Sequence, residues 1–533
     1  MNIPANAKTQ TISGEKYVFI DTPYWNAEKH RGEHKRRYIG KIVEGQFVPN
    51  GRYLLSLEKS GTIKPGPVPV TECKRQFYGA TYLLDQIGDK LGIVDDLKAS
   101  FPDKYKQLLS LAYFFVLEEG MSAYRLRKWA LTHKHSYGRD IPSQRISDLM
   151  GSIDEASKMN FFRRQARRRA EKEFLAFDTT SISSYSELIK FAKYGKNKEG
   201  DHLPQINLAL LYGEVSRLPV YFRKLTGNTA DVSLIRNLML DIDFLDMKKL
   251  SFVMDRGFYS EKNINDLMKH HHKFLIGIRC GLKIARKHLD EVRGEQLVSW
   301  ENYHDDVGLY AMSFSDEWDY REEHPRTGKC ICDKRRVYVH IYFNDQRCTD
   351  ERLSFAKYLT CLQDELKSGR KTEGHLKDYD KYFVVSETLK KGLHIIPNGD
   401  AIREHQRDFG YFVLLSNGIK DPEEAINLYR VRDLIEKAFA NLKERLDMRR
   451  MSVSSSENFE GKLFVQFLAL IYLSYIKKQM DEKGLYKKYT MQTLLDDLDI
   501  IELYQQPGRA HHLSEITKKQ IALYDAMGVP FPK

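Results

Sequence analysis

Apolar and polar positions alternate through Tyr17–Ile20, Lys35–Lys41 and Gln46–Val48, with glycine and proline between them. Alternation of this kind predicts short strands joined by turns. Residues 1–75 are therefore expected to form a small β-rich module with a basic ribbon. From 76 to 172 the apolar spacing changes to three and four, through Tyr82–Leu84, Leu108–Leu109 and Ala112–Val116, which predicts a compact helical domain. Within it, Ile141–Met150 reads as a capped short helix exposing Gln144 and Arg145, and Arg163–Arg169 is a cationic run containing Arg167. Either stretch taken alone fits a solvated helix face at least as well as a binding surface.

Beyond 172 the period becomes that of strands. Phe174–Phe177 leads directly into Asp178; Ile206–Tyr212 and Pro219–Lys224 are two more strands; Ser233–Phe244 is helical; Phe252–Met254 leads into Asp255; Phe274–Ile278 is a fifth strand. Three strands, a helix, a strand, a helix and a strand is the element order of an RNase H-like fold. Residues 281–405 are mixed and charged, with a strand at Arg336–Phe343 and a helix at Asp350–Leu366, and are expected to be a separate insertion. Tyr411–Asn417 returns to buried-strand character and runs into a long helix, and 451–533 reads as helical. The expected divisions are thus 1–75, 76–172, 173–280, 281–405, 406–450 and 451–533.

Composition narrows the classes. A chain of 533 residues has room for several cores. Its net charge of +12 favours a polyanionic partner over a small neutral substrate. Six cysteines at this length, without paired zinc-ribbon spacing, read as reduced and mostly structural. No basic region followed by an apolar run opens the chain, so no secretory signal is expected. Leu463–Ile476, broken by Gln466 and Ser474, is expected to be a buried helix with no membrane role.

Asp178 and Asp255 each fall at or just past the end of an apolar strand, where a short carboxylate can project from a rigid platform. Magnesium takes hard oxygen ligands and often only one or two carboxylates beside water and phosphate. Taken singly, such an aspartate is more often a turn or cap residue. Support comes from the helix opened by Asp421-Pro422-Glu423-Glu424, an N-cap acid followed by proline and glutamate. Along it Tyr429, Arg432, Glu436 and Lys443 fall within roughly 60° of one another, beside an apolar face made by Leu428, Val431, Ile435, Ala438, Phe439 and Leu442. A carboxylate flanked by a phenol, a guanidinium and an ammonium suits a metal ion beside a phosphate backbone. A salt-bridged amphipathic helix is the plain alternative.

At these residues the sequence resembles bacterial insertion-sequence transposases of the group numbered four, whose third motif is Tyr-x2-Arg-x3-Glu-x6-Lys. Tyr429, Arg432, Glu436 and Lys443 match all four positions. Phe177-Asp178-Thr179-Thr180, Met254-Asp255-Arg256-Gly257-Phe258-Tyr259, Leu225–Asp231 and Tyr38-Ile39-Gly40-Lys41 are also similar to that group. The resemblance implies a DDE transposase, an enzyme in which Asp178, Asp255 and Glu436 are the catalytic acids and hold two Mg²⁺ ions, with Mn²⁺ as a substitute. It implies nicking at transposon ends, release of the element and attack of the freed 3′-hydroxyl on target DNA. Tyr429, Arg432 and Lys443 would grip terminal phosphates and a displaced base, for which Trp300 and Trp318 are the stacking candidates. Arg145 and Arg167 are the candidate DNA contacts of the helical module.

The expected partners are double-stranded DNA, both terminal inverted repeats and target, and a second copy of the chain in a paired-end complex. The expected location is the bacterial cytoplasm, on the nucleoid when bound. The fold class that follows is a multidomain α+β protein. An RNase H-like α/β catalytic core is interrupted by a mainly β insertion domain, preceded by β-rich and helical DNA-binding modules and followed by a helical C-terminal region. A catalytically silent transposase-derived DNA-binding protein and another RNase H-like nuclease are the alternatives. His270–His272 reads as a helix end and not a metal site, and Cys330 and Cys332 with His324 lack a fourth ligand for zinc.

Overall fold

The computed structural model describes residues 3–533 except 13, 27–30, 44, 60–73, 170–172, 185–190, 196–202, 230–233, 246, 248, 324–329, 389–391, 447, 449, 452–454 and 507–509. The chain divides into two compact units, one made of Met1–Ile87, Tyr124–Ser143 and Gln479–Lys533, the other of Gly88–Ala123 and Gln144–Lys478.

In the first unit the strands Ala7–Ile12, Glu15–Asn26, Arg31–Val43 and Gln46–Pro49 form an antiparallel meander. Val18, Ile39 and Phe47 point to one face and close over Tyr53 of the helix Gly51–Lys59. Gly40 lies where a Cβ would stand 2.2 Å from the Val48 carbonyl oxygen, so only glycine lets the two strands approach there. The unit also contains a three-stranded sheet in which Lys74–Phe77 pairs with Glu502–Gln505, which in turn pairs with His512–Leu513. The C-terminal region is thus not wholly helical as expected. The short alternating run at Glu502–Gln505 finds its partner near the other end of the chain, and Arg75 and Glu502 form an ion pair across it.

The second unit is built on one large mixed sheet. Its strands are β1 (Phe174–Ser184), β2 (Gln205–Gly213), β3 (Pro219–Thr226), β4 (Ser251–Met254) and β5 (Lys273–Ile278), with helix α1 (Leu234–Phe244) before β4 and α2 (Glu261–Lys269) before β5. It continues with β6 (Leu309–Glu323), β7 (Cys330–Phe343) and β8 (Tyr411–Ser416). The order across the sheet is 3-2-1-4-5-8-7-6. β1, β4 and β5 run parallel; β2 and β3 are antiparallel to their neighbours, as are β8, β7 and β6. The central strands carry near-continuous apolar runs, as strands covered on both faces do.

Two expectations need correction here. Residues 281–405 are not a separate, mainly β domain. β6 and β7 extend the main sheet, with β7 pairing to β8 from Tyr338↔Ser416 to Phe343↔Tyr411. The outer part is α+β: helix α3 (Asp345–Ser368), a helix at Leu376–Tyr382, a hairpin of Phe383–Thr388 with Gly392–Pro397, and a helix at Gly399–Gln406. Asn344 caps α3 by accepting from the Arg347 N–H, Gly369 ends it in the left-handed region, and Phe355, Leu362, Tyr379, Tyr382 and Phe383 form a small core around it.

Nor is 76–172 one body, because Tyr124–Ser143 belongs to the first unit and its flanks to the second. The reason is aromatic packing on the long helix Ser456–Glu482. Phe464 meets Phe101, Phe161 and Phe162 with ring centroids 5.3, 5.5 and 6.0 Å apart. By length and composition this is the one helix among the described residues that could cross a bilayer, but 94% of its apolar window is buried inside the protein.

Buried histidines give the second unit a pH dependence. His272 Nδ1 accepts the Leu250 N–H at 3.0 Å, and burial lowers its pKa from 6.5 to about 4; His340 inside β7 is lowered by burial to about 4 as well. Between these values the unfolded chain binds the protons that the native state refuses. Stability is therefore level above about pH 6.5 and falls as the pH drops toward 4, by on the order of 3 kcal/mol for each group. Denaturant titrations across this range should show that slope, and His272→Gln should flatten its share of it whatever happens to stability at neutral pH.

Candidate active site

The pairing of β1 with β4 sets the site. The two strands run parallel in the register Phe174↔Ser251 to Phe177↔Met254, and the residues that follow the last pair are Asp178 and Asp255. Asp255 ends its strand: its backbone is extended and its side chain accepts the Arg256 N–H at 2.6 Å, turning the chain into a short 3-10 helix. Asp178 differs from its expected place at a strand end. β1 continues to Ser184 because Asp178–Ser183 stay paired with β2, and only the ladder toward β4 stops. Asp178 is 8% exposed and accepts the Thr179 N–H at 2.7 Å.

The third acid arrives on a helical segment that begins as expected, with the Asp421 side chain accepting from the Glu424 N–H and Pro422 in the first turn. It is not one continuous helix. Pro422–Arg430 and Arg432–Glu444 meet at Val431, so Tyr429 and Arg432 flank an irregularity. Ile435, Ala438, Phe439 and Leu442 bury the second helix, leaving the Glu436 side chain 58% exposed.

Arg432 joins the acids. Its guanidinium lies 3.4 Å from Asp255 Oδ1 and 3.3 Å from Glu436 Oε1, and donates to the Tyr429 hydroxyl at 3.1 Å. Tyr429 in turn donates to Asp255 Oδ1 at 3.2 Å. Burial pushes the Tyr429 phenol up to about 12, so it stays a hydrogen-bond donor. Burial works against the charge on Arg432, yet Tyr429, Asp255, Asp178 and Glu436 together hold its pKa above the ordinary value. The Nε of Arg432 is buried and lacks a hydrogen-bond partner. Gly277 of β5 makes room for this arrangement, since a Cβ there would stand 2.7 Å from the Tyr429 hydroxyl. A lone glycine within the apolar run Phe274–Ile278 is the sequence signal for this close approach of another group.

The sequence profile of a family described as a transposase DDE domain matches residues 169–472, more than half of the chain. The chain belongs to that family. No curated protein matches it. Among solved structures, a piggyBac transposase in a synaptic complex with hairpin DNA aligns with 78% of this chain and 70% of its own, at 11% identity and a TM-score of 0.34.

DDE transposases generally use divalent metal ions. The donor set of this transposase is chemically suited to one: Asp255 and Glu436 each give one oxygen to Arg432 and keep the other without a protein partner among the described residues. Hard carboxylate oxygens of this kind are what Mg²⁺ takes. Still, no three His, Cys, Asp or Glu side chains among the described residues converge as a ready metal cage. Arg432 is the cation found between the acids.

The other predicted residues are dispersed. Lys443 lies in the last turn of the helix bearing Glu436, about 10 Å farther along its axis. Trp300, on a 3-10 turn, is 83% exposed. Trp318, expected as a stacking candidate, is instead 7% exposed with its indole N–H donated to Asn265 at 2.8 Å, and a buried indole offers no face to a base. Arg145 and Arg167 are exposed, but neighbours of Arg167 are spent inside the protein, with Arg168 paired to Asp96 and Arg169 buried. His270 caps its helix as expected. Cys330 and Cys332 are exposed with sulfurs 3.5 Å apart, and His324 lies outside the described residues.

Gly277→Ala should destabilise the protein by about 1–3 kcal/mol, as overpacking does, and adding Tyr429→Phe should recover most of that loss. Denaturant midpoints of the two single variants and the double variant test this. No recovery in the double would place the collision at the backbone of Arg256 instead, which lies 3.3 Å from the added Cβ.

Proposed function

We propose that this DDE transposase belongs to the insertion-sequence group numbered four and moves its own element by cut-and-paste transposition. It would cleave at the terminal inverted repeats and join the freed 3′-hydroxyl to target DNA. The observation that supports this most is the coupling of Asp178 and Asp255, adjacent on parallel strands, to Glu436 through Arg432 and Tyr429. The strand order 3-2-1-4-5 with β1, β4 and β5 parallel supports reading the core as RNase H-like.

In this reading Asp178, Asp255 and Glu436 hold two Mg²⁺ ions, for which Mn²⁺ substitutes. When bound, such ions stabilise the attacking and leaving oxygens of an in-line displacement at phosphorus. The chain's own groups do the rest. Arg432 and Lys443 carry positive charge to the phosphates beside the acids. Tyr429, kept protonated, holds Asp255 in place. Trp300 stacks on a base displaced near the cut end. The N-terminal meander, with Trp25 65% exposed and Lys35, Arg36 and Arg37 on its surface, contacts DNA; in the second unit, Arg145 and Arg167 do so. A second copy of the chain pairs the two ends, and the enzyme works where its DNA is, on the nucleoid of the bacterial cytoplasm.

Purified protein incubated with its element's ends and Mg²⁺ should give 3′-hydroxyl cleavage and strand-transfer products. Chelation with EDTA should abolish them, and Glu436→Gln should lower them by at least ~10²-fold, the scale of losing one charge-stabilising group. End binding without any cleavage by the wild type would instead favour a silent DNA-binding protein, and cleavage without joining another RNase H-like nuclease. Trp300→Ala should weaken binding of the cleaved end by about 1–3 kcal/mol, measured by competition against intact duplex.

A further inference from the structure

A cleft of ≈ 1060 Å³ reaches Arg256, the residue after Asp255, and is lined by none of the three acids themselves. One side is the end of β5 and the turn after it, Arg279–Gly281, together with Arg256. The other side is the first half of α3 and residues 401–411. β5 and β4 pair as far as Ile276↔Met254, so Gly277 comes level with Asp255, and Arg256 and Arg279 stand just beyond.

The charges facing this cleft are not balanced by their number alone. Arg256, Arg279, Arg347 and Lys381 line it, and so do Asp350, Glu351, Glu404 and Asp408. Three of the acids are paired with cations, and Asp350 accepts only from a neutral amide. Asp408 is held by Arg286 and Arg293 at 3.1 and 2.8 Å, Glu351 by Arg347 at 2.9 Å and the Gly410 N–H at 2.8 Å, Glu404 by Arg407 at 3.7 Å, and Asp350 accepts from Gln346 at 2.9 Å. The guanidinium groups of Arg256 and Arg279 are exposed and have no acceptor among the described residues. The other side of the lining carries rings: His405 is exposed and Tyr358 and Phe409 are partly exposed, while Phe355 is buried behind them, 4.4 Å from His405 and 5.7 Å from Phe409 between ring centroids.

Unpaired guanidinium groups facing an aromatic wall are the ingredients of a site for one nucleic-acid strand, phosphates on one side and bases on the other. Cavities of roughly 300–1,000 Å³ hold one drug-sized ligand, so this cleft has room for a couple of nucleotides. We infer that the cleft binds a single DNA strand leading away from the catalytic acids, its phosphates on Arg256 and Arg279 and its bases against the partly exposed Tyr358 and Phe409 and the exposed His405. The identity of the polymer rests on the transposase reading above; the site itself rests on the unpaired cations and the wall.

The test uses the full chain and a fluorescently labelled, short single-stranded DNA, with affinity followed by anisotropy across a salt series. Arg256→Ala with Arg279→Ala should weaken binding at least roughly tenfold and lower the log–log salt slope by about 1.4, at about 0.7 for each phosphate contact on a single strand. Arg256→Lys with Arg279→Lys should keep the slope, and Arg236→Ala, an exposed arginine of α1 outside the cleft lining, should behave as wild type. A double alanine variant with wild-type affinity and slope, the same loss in Arg236→Ala, or no single-strand binding by the wild type overturns the cleft. The end-cleavage assay separates the two readings. Cleavage with arginine-independent strand binding sinks only the cleft, whereas arginine-dependent strand binding without cleavage sinks only the transposition reading.

Discussion

Everything at this site hangs on four backbone pairs. Phe174–Phe177 and Ser251–Met254 lie parallel and in step, so that the carboxylates just past the last pair stand side by side. A slip of one residue would turn Asp255 to the opposite face of the sheet. The alignment is secured by what flanks it: Leu175, Ala176, Phe252 and Val253 are fully buried, and Phe177 and Phe258 pack with ring centroids 5.0 Å apart directly beneath the acids. The core thus determines where the charges meet, and no loop has to be trusted with the task.

Electrostatics then sets a problem that Arg432 answers. Carboxylates gathered at one edge of a sheet repel one another. A guanidinium on the neighbouring helix brings Asp255 and Glu436 toward a common positive centre and ties Tyr429 into the same set of contacts. The helix that delivers this cation also delivers the third acid, so one element supplies both the charge and its counter-charge.

Much of this was legible in the chain. Phe252–Met254 and Phe274–Ile278 are apolar runs with polar ends, and their strand character needs no distant partner to be recognised. Asp421 with Pro422 defines a helix start by local chemistry alone, and the structure begins there. What local pattern could not reveal was partnership. Thr179–Ser183 is polar but for Ile182 and reads as a strand's end, but it stays extended because β2 pairs with it. Arg336–Phe343 reads as a strand without saying that it would join the main sheet and not a detached domain. The helical stretch before 172 reads as one body because nothing in it announces Phe464, far away in sequence, on which Phe101 and Phe161 pack. Trp318 is a matter of side-chain environment, decided by Asn265.

The strand order has a consequence for how the protein is made. β8 is the last long strand of the sheet to leave the ribosome, yet it sits in the interior, between β5 and β7. Until Tyr411–Ser416 emerges, both of those strands present bare hydrogen-bonding edges, and they could pair wrongly with each other or with another chain. The excursion that later forms α3 and the outer hairpin must stay out of the way during this wait. Because Glu436 follows β8 closely, no nascent chain can carry a complete set of acids before its central sheet is ready to close.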